Sequence, residues 1–313
     1  MNIAGKLNID DLPQICPTLS RKAKKRYAEG ETRVVQVLEV CFGADQPVVI
    51  AGPCAVESRK QTLEVAFAVK LAGAHMLRGG AYKPRTAPHD FQGLGLEGLK
   101  ILREAREETG LPVVTEVMDP RLVEQVANYA DMLQVGSRNM QNYPLLTEVG
   151  RCGKPVLLKR GMAASLCEWL GAAEYIASQG NLDIVLCERG IKAFACGEYS
   201  RNVLDLNVIH AVKQETFLPI IVDPSHATGV SAMVEPASRA AIEFGAQGLI
   251  IEVAAARAGA ERPKCDAAQA ISPETLANIV EFIKARAAYR AGKGQAQVSS
   301  PATPQALAMT GAM

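Results

Sequence analysis

Short apolar runs recur eight times between residues 48 and 253: Val48–Ala51, Met76–Gly80, Pro112–Glu116, Met132–Val135, Pro155–Lys159, Ile184–Cys187, Pro219–Val222 and Leu249–Val253. They are nearly continuous rather than alternating, which predicts strands with both faces buried, as in a parallel sheet. Between them, apolar residues fall at three- and four-residue spacing over Leu96–Glu108, Arg121–Tyr129, Ala164–Ser178, Arg201–Val212, Pro236–Phe244 and Pro273–Arg286, the mark of helices with one buried face. Punctuation agrees. Asp119-Pro120 and Ser272-Pro273 read as helix caps followed by a first-turn proline, and Gly110, Gly180 and Gly245 read as helix stops.

The runs end on polar residues of catalytic type. At or just beyond their C-terminal ends stand Cys54, Arg78 with Lys83, Glu116, Arg138, Lys159, Arg189, His226 and Glu252. In a (β/α)8 barrel all strand C-termini open on one face, where residues far apart in sequence meet. An open doubly wound sheet shares the strand–helix alternation, but eight runs ending this way favour a single (β/α)8 barrel over residues 46–290. Residues 1–45 then form a short arm with a basic stretch, Arg21–Arg26, and a helix. Residues 291–313, rich in Ala, Gly, Ser, Pro and Gln, read as a disordered low-complexity tail.

Composition narrows the class. The 313 residues are 48% apolar with a formal charge of +1, so nothing in the overall charge draws the chain to nucleic acid or membrane. No run has the length of a membrane span. Eight dispersed cysteines without CxxC pairs, and no apolar leader, argue for reduced thiols and a cytoplasmic location. Neither end leaves room for an added amino-acid-binding domain, so insensitivity to aromatic amino acids is expected.

Two constellations carry chemistry. Arg78, Lys83, Arg85, Arg138, Lys159 and Arg189 would be focused by a barrel on one cavity, which calls for polyanionic ligands; two phosphorylated small molecules would account for the number. Each cation alone would be an ordinary surface charge. Cys54, His226, Glu252 and Asp266 are ligand types from strands adjacent on closure, and together suit a borderline first-row divalent ion. A lone buried cysteine or a satisfied histidine is the bland alternative. Asp223 is placed to orient His226.

The stretches IAGPCAVES (50–58), RGGAYKPRTAPHDFQGLG (78–95), TEVMDPR (115–121), QVGSRNMQN (134–142), LLKRGM (157–162), CERGI (187–191) and VDPSHATG (222–229) closely resemble the class I synthases of 3-deoxy-D-arabino-heptulosonate 7-phosphate, in their simplest bacterial branch. The wider family includes 3-deoxy-octulosonate 8-phosphate synthases; the KPRT element favours the seven-carbon branch. The resemblance implies a metal-dependent, aldol-like condensation of phosphoenolpyruvate with erythrose 4-phosphate at the head of the shikimate route. It implies one divalent ion (Mn2+, Fe2+, Co2+ or Zn2+), no organic cofactor, and a homo-oligomer, dimer or tetramer. Under it, Arg78, Lys83, Arg138, Lys159 and Arg189 grip phosphoenolpyruvate, while Pro84, Arg85 and Thr86 contact the aldose. Cys54, His226, Glu252 and Asp266 hold the ion. Lys83 is a candidate proton donor and Glu116 orients water, so Lys83, Glu116 and His226 form the catalytic set.

One stretch departs from the family pattern. After the glutamate of the last run, Ala254 and Ala255 replace His-Pro, and Cys265-Asp266-Ala267 replaces Ser-Asp-Gly. A relative that accepts a different phosphorylated aldose is therefore the second reading. A catalytically impaired barrel that only binds is the third.

Overall fold

The eight apolar runs close into a barrel. The computed structural model describes residues 32–83, 85, 87, 89–194, 201–255, 265 and 267–298. Two antiparallel strands, β1 (Val35–Val37) and β2 (Val40–Phe42), precede eight parallel ones: β3 (Val48–Gly52), β4 (Met76–Arg78), β5 (Val113–Glu116), β6 (Met132–Val135), β7 (Val156–Lys159), β8 (Ile184–Glu188), β9 (Ile220–Val222) and β10 (Gly248–Glu252). Each of β3 to β9 pairs with the next, and β10 returns to β3 through five register pairs, Gly248↔Val48 to Glu252↔Gly52. That last ladder excludes the open sheet.

Helices α1 (Arg59–Leu71), α2 (Leu96–Thr109), α3 (Val123–Ala127), α4 (Tyr143–Cys152), α5 (Leu166–Ala177), α6 (Asn207–Glu215), α7 (Pro224–Thr228), α8 (Ser231–Glu243) and α9 (Pro273–Val298) accompany the strands. Their ends follow local chemistry. Ser165 and Glu168 form a reciprocal capping box on α5, and Gly110 closes α2 in the left-handed conformation. Helix α8 begins five residues before Pro236, the start expected from periodicity. A proline so near the N-terminus forfeits one backbone bond, to the second residue of the helix, and is tolerated. Helix α9 runs past residue 290 to Val298; Ala, Lys and Gln are good helix formers, and extending an anchored helix needs no new nucleus.

Of the arm, the basic stretch Arg21–Arg26 and its expected helix lie outside the described residues. Residues 35–42 form a hairpin that was not anticipated. Its Val35, Val37, Val40 and Phe42 pack against the barrel interior: Val48, Ile50, Met76, Val114, Met132, Leu157, Val185, Cys187, Ile221 and Ile250. The lower barrel is thus a filled apolar core, closed at the N-terminal ends of its strands. A second, larger core lies between strands and helices, with Trp169 fully buried and its Nε1 donating to Leu158 O at 3.2 Å. No described helix is long and apolar enough to cross a membrane.

Candidate active site

Strand side chains alternate between faces, so the residue two places beyond an inward apolar one also points inward. Met76 is followed by Arg78, Val114 by Glu116, Met132 by Gln134, Leu157 by Lys159, Cys187 by Arg189, Ile221 by Asp223 and Ile250 by Glu252. The apolar core therefore ends in a polar layer at the C-terminal mouth. Above it opens a cavity of about 440 Å³, lined by Arg78, Lys83, Arg85, Glu116, Arg138, Lys159, Arg189 and His226 among the expected residues. Pro84, Thr86 and Asp266 lie outside the described residues. Gln134, Lys192, Arg201 and Asn202 also line the cavity and were not anticipated. Gln134 was accessible to the period-two argument; the other three sit in the aperiodic loop after β8.

A continuous chain of charged contacts floors the cavity. Lys159 pairs with Asp223. Asp223 Oδ2 receives His226 Nδ1 at 2.7 Å, and its Oδ1 receives the His226 backbone N–H at 2.9 Å. His226 Nε2 lies 3.3 Å from Glu252 Oε1, which also receives Arg78 Nη1 at 3.0 Å. Arg78 Nη2 donates to Cys54 O at 3.2 Å, and Lys83 Nζ to Cys54 Sγ at 3.1 Å. The orienting role expected of Asp223 matches this geometry.

Protonation follows from the surroundings. Burial would raise the Asp223 carboxyl, but His226 and Lys159 outweigh it and hold Asp223 well below the usual carboxylate range. Burial pushes His226 down, against Asp223 and Glu252, which face its Nδ1 and Nε2 respectively. The Lys83 ammonium loses hydration on burial, yet Cys54, Glu252 and Glu116 together lift it above its ordinary range. The Cys54 thiol is raised well above its ordinary value by a hydrogen bond with Cys265, by burial and by Glu252, against Lys83 and Arg78.

Arg189 differs from the other buried cations. Only 5% exposed, it forms no salt bridge among the described residues; its Nη1 donates to Gly190 O at 3.3 Å, and burial depresses its pKa. Arg138, on the 3-10 turn after β6, likewise forms no salt bridge there. Arg85 pairs with Asp90 at 3.2 Å. Glu116 is set by a close approach: its Oε1 lies only 2.0 Å from where a Cβ on Gly136 would stand, so only glycine leaves it room.

The Cys54, His226 and Glu252 donors suit a borderline divalent ion in type. In the described residues they are engaged with Lys83, Arg78 and each other. No three His, Cys, Asp or Glu side chains there are gathered about one point.

The family model for the DAHP synthetase I family matches residues 22–289. The chain belongs to that family. Among its relatives in the DAHP synthetase I family is the phospho-2-dehydro-3-deoxyheptonate aldolase of Thermotoga maritima, 44% identical over 263 residues, or 84% of this chain and 76% of that protein. A 2-dehydro-3-deoxyphosphooctonate aldolase of Syntrophotalea carbinolica is 33% identical over 256 residues, covering 76% and 90% of the two chains. The solved truncated form of the Thermotoga maritima 3-deoxy-D-arabino-heptulosonate 7-phosphate synthase has a TM-score of 0.78 at 41% identity, covering 87% of this chain and 98% of that one.

Proposed function

We propose that the chain condenses phosphoenolpyruvate with erythrose 4-phosphate, giving 3-deoxy-D-arabino-heptulosonate 7-phosphate and inorganic phosphate. One observation carries the reading: a buried guanidinium, Arg189, without a salt bridge among the described residues, beside Lys159 and Arg138 in a cation-lined cleft. A desolvated cation of this kind needs an anion, and a phosphate dianion supplies it with bidentate geometry. Greater identity to the heptonate aldolase than to the octonate aldolase supports the seven-carbon product.

In this reading Arg189, Lys159 and Arg138 hold the phosphate of phosphoenolpyruvate, and Arg78 with Lys83 its carboxylate end. Arg85, with Pro84 and Thr86, receives the aldose. C3 of the enol phosphate bonds to the aldehyde carbon, water adds at C2, and the C2–O bond to phosphate breaks. Lys83, held protonated, delivers a proton to the former aldehyde oxygen, and Glu116 aligns the water, which gives up one proton as its oxygen bonds to C2, so no net proton is consumed. Fixing both reactants in attack geometry replaces freedom that would otherwise be lost in the transition state. Cys54, His226 and Glu252, joined by Asp266, would hold a divalent ion, whose contribution when bound is to polarise the aldehyde oxygen.

The test is phosphate release from phosphoenolpyruvate with manganese and a panel of aldose phosphates. Turnover with erythrose 4-phosphate supports the reading. Ala254 and Ala255, in place of His-Pro, favour a second one, a different phosphorylated aldose, which preference for another panel member would establish. Binding of phosphoenolpyruvate without any turnover would overturn both.

A further inference from the structure

Strand alternation turns Lys159 and Arg189 into the cleft, so their neighbours Arg160 and Glu188 face outward beneath the helices. The β7–β8 register pairs Lys159 with Cys187, and Arg160 N donates to Cys187 O at 3.0 Å, which makes Arg160 and Glu188 cross-strand neighbours. Their side chains meet, Nη1 to Oε2, at 3.1 Å. The same Nη1 reaches Asp205 Oδ2 at 2.9 Å, just before α6. Arg160 Nε donates to Ala164 O at 2.9 Å, and its guanidinium lies 6.0 Å from the Trp169 ring. Glu188 is wholly buried and Arg160 nearly so.

An ion pair in a dry interior costs desolvation, and apolar side chains of equal volume often stabilise as well or better. This carboxylate does what an apolar group cannot. Glu188 Oε1 accepts the Gly190 N–H at 2.6 Å and the Asp205 N–H at 3.4 Å, so it ties the residue that follows Arg189 to the segment leading into α6. Gly190 has φ +86°, and a Cβ there would stand 2.7 Å from Asn202 Cβ, so the turn that follows is fixed too. On the adjoining strand end the guanidinium belongs to the residue next to Lys159. The cluster ties together, from behind, the two chain ends that present Lys159 and Arg189.

We propose that Arg160, Glu188 and Asp205 are positioning residues for those two cations, setting affinity for the phosphate of phosphoenolpyruvate without touching it. The proposal rests on the phosphoenolpyruvate reading of the cleft. Three variants test it by steady-state kinetics, by calorimetric titration with phosphoenolpyruvate and with inorganic phosphate, and by melting. Glu188→Gln keeps the shape and one acceptor but loses the charge; Arg160→Lys keeps the charge but loses the fork. The double variant Arg160→Met/Glu188→Met removes the buried pair at similar volume and leaves Asp205, whose side chain is 25% exposed, to water.

The KM and dissociation constant for phosphoenolpyruvate should rise about tenfold in Glu188→Gln and toward a hundredfold in the double variant. Arg160→Lys should lie between wild type and the double variant. The KM for the aldose should stay within about twofold, because only one substrate's grip is disturbed. A folded double variant with wild-type phosphoenolpyruvate affinity overturns the proposal; so does an equal rise in both KM values, the sign of general loosening. If the double variant does not fold, Glu188→Gln decides by the same criteria. Failure of the wild-type chain to bind phosphoenolpyruvate would instead overturn the underlying reading, and the phosphate titrations would still decide whether the cluster positions the cations.

Discussion

Gly136→Ala should disable the active site while leaving the fold intact. Gly136 has φ −72° and ψ 160°, extended backbone that alanine adopts without strain. Replacing glycine at such a position stabilises by about 0.4–1 kcal/mol through the unfolded chain. The obstacle is Glu116. The new Cβ would stand 2.0 Å from its Oε1 and 2.8 Å from its Cδ, where ordinary contact begins at 3.4 Å, so the carboxylate must retreat by at least 1.4 Å. Gln134 Nε2, 3.4 Å from Oε2, would lose its partner. A displacement of about 1 Å at a reacting group costs roughly a hundredfold in rate, or about 2.7 kcal/mol. The assay is kcat with saturating substrates alongside a melting curve, with Glu116→Ala as reference. Expected is a hundredfold loss of kcat, an unchanged or raised Tm, and a phosphoenolpyruvate KM within about twofold of wild type. Because both substitutions act through one carboxylate, the double variant should be no worse than Glu116→Ala alone. Wild-type kcat in Gly136→Ala, or additive losses in the double variant, would refute the argument.

Three further outcomes are expected. Arg189→Ala should raise the KM for phosphoenolpyruvate about a hundredfold, corresponding to ~2–3 kcal/mol for a charge-assisted pair in a dry cleft, whereas Arg121→Ala, at a side chain 87% exposed and paired with Asp119, should change it less than about twofold; equal losses would sink the placement. Chelator-treated protein should lose activity and regain it with manganese, and manganese should raise the melting temperature of wild type but not of Cys54→Ser; a shift that survives in that variant removes Cys54 from the ion site. His75, whose Nδ1 accepts the Val49 N–H at 2.9 Å, is held below its ordinary 6.5 by burial and by Lys284, so its stabilisation is complete above pH 6.5 and is lost as pH falls through the folded value. His75→Asn keeps an acceptor there without the titration, and should therefore lose less Tm than wild type between roughly pH 7.5 and 5.5; parallel curves would exclude His75 as the cause.

Much of this was legible in the sequence because strand alternation links core to chemistry. Met76 and Arg78, or Leu157 and Lys159, share a face by geometry alone, so a charge two places beyond an inward apolar residue announces a cleft residue. The hairpin at residues 35–42 was not legible. Its strands are three residues long, too short to show a period, and its two-residue turn, Leu38-Glu39, lacks the Asn-Gly or Asp-Gly usual there; Leu38 takes φ +51° instead. Nor could spacing show which cation meets which anion. That Lys159 faces Asp223 while Arg189 faces an open cavity depends on how far each side chain reaches across the closed barrel, a property of the assembled cylinder.

The hairpin beneath the barrel also makes the cleft a cul-de-sac. With Phe42 and the valines of β1 and β2 sealing the base, and side chains from Ile50 to Ile250 filling the shaft, no back door leads out among the described residues. Among the described residues the open side is the mouth at the strand C-termini, so in the proposed reaction substrates and released phosphate would share it, and Lys192 and Arg201 line that cavity. The field that draws anions inward must then also slow their departure. Product escape, more than arrival, should govern the pace at low salt, and added salt should hasten turnover until it begins to weaken capture.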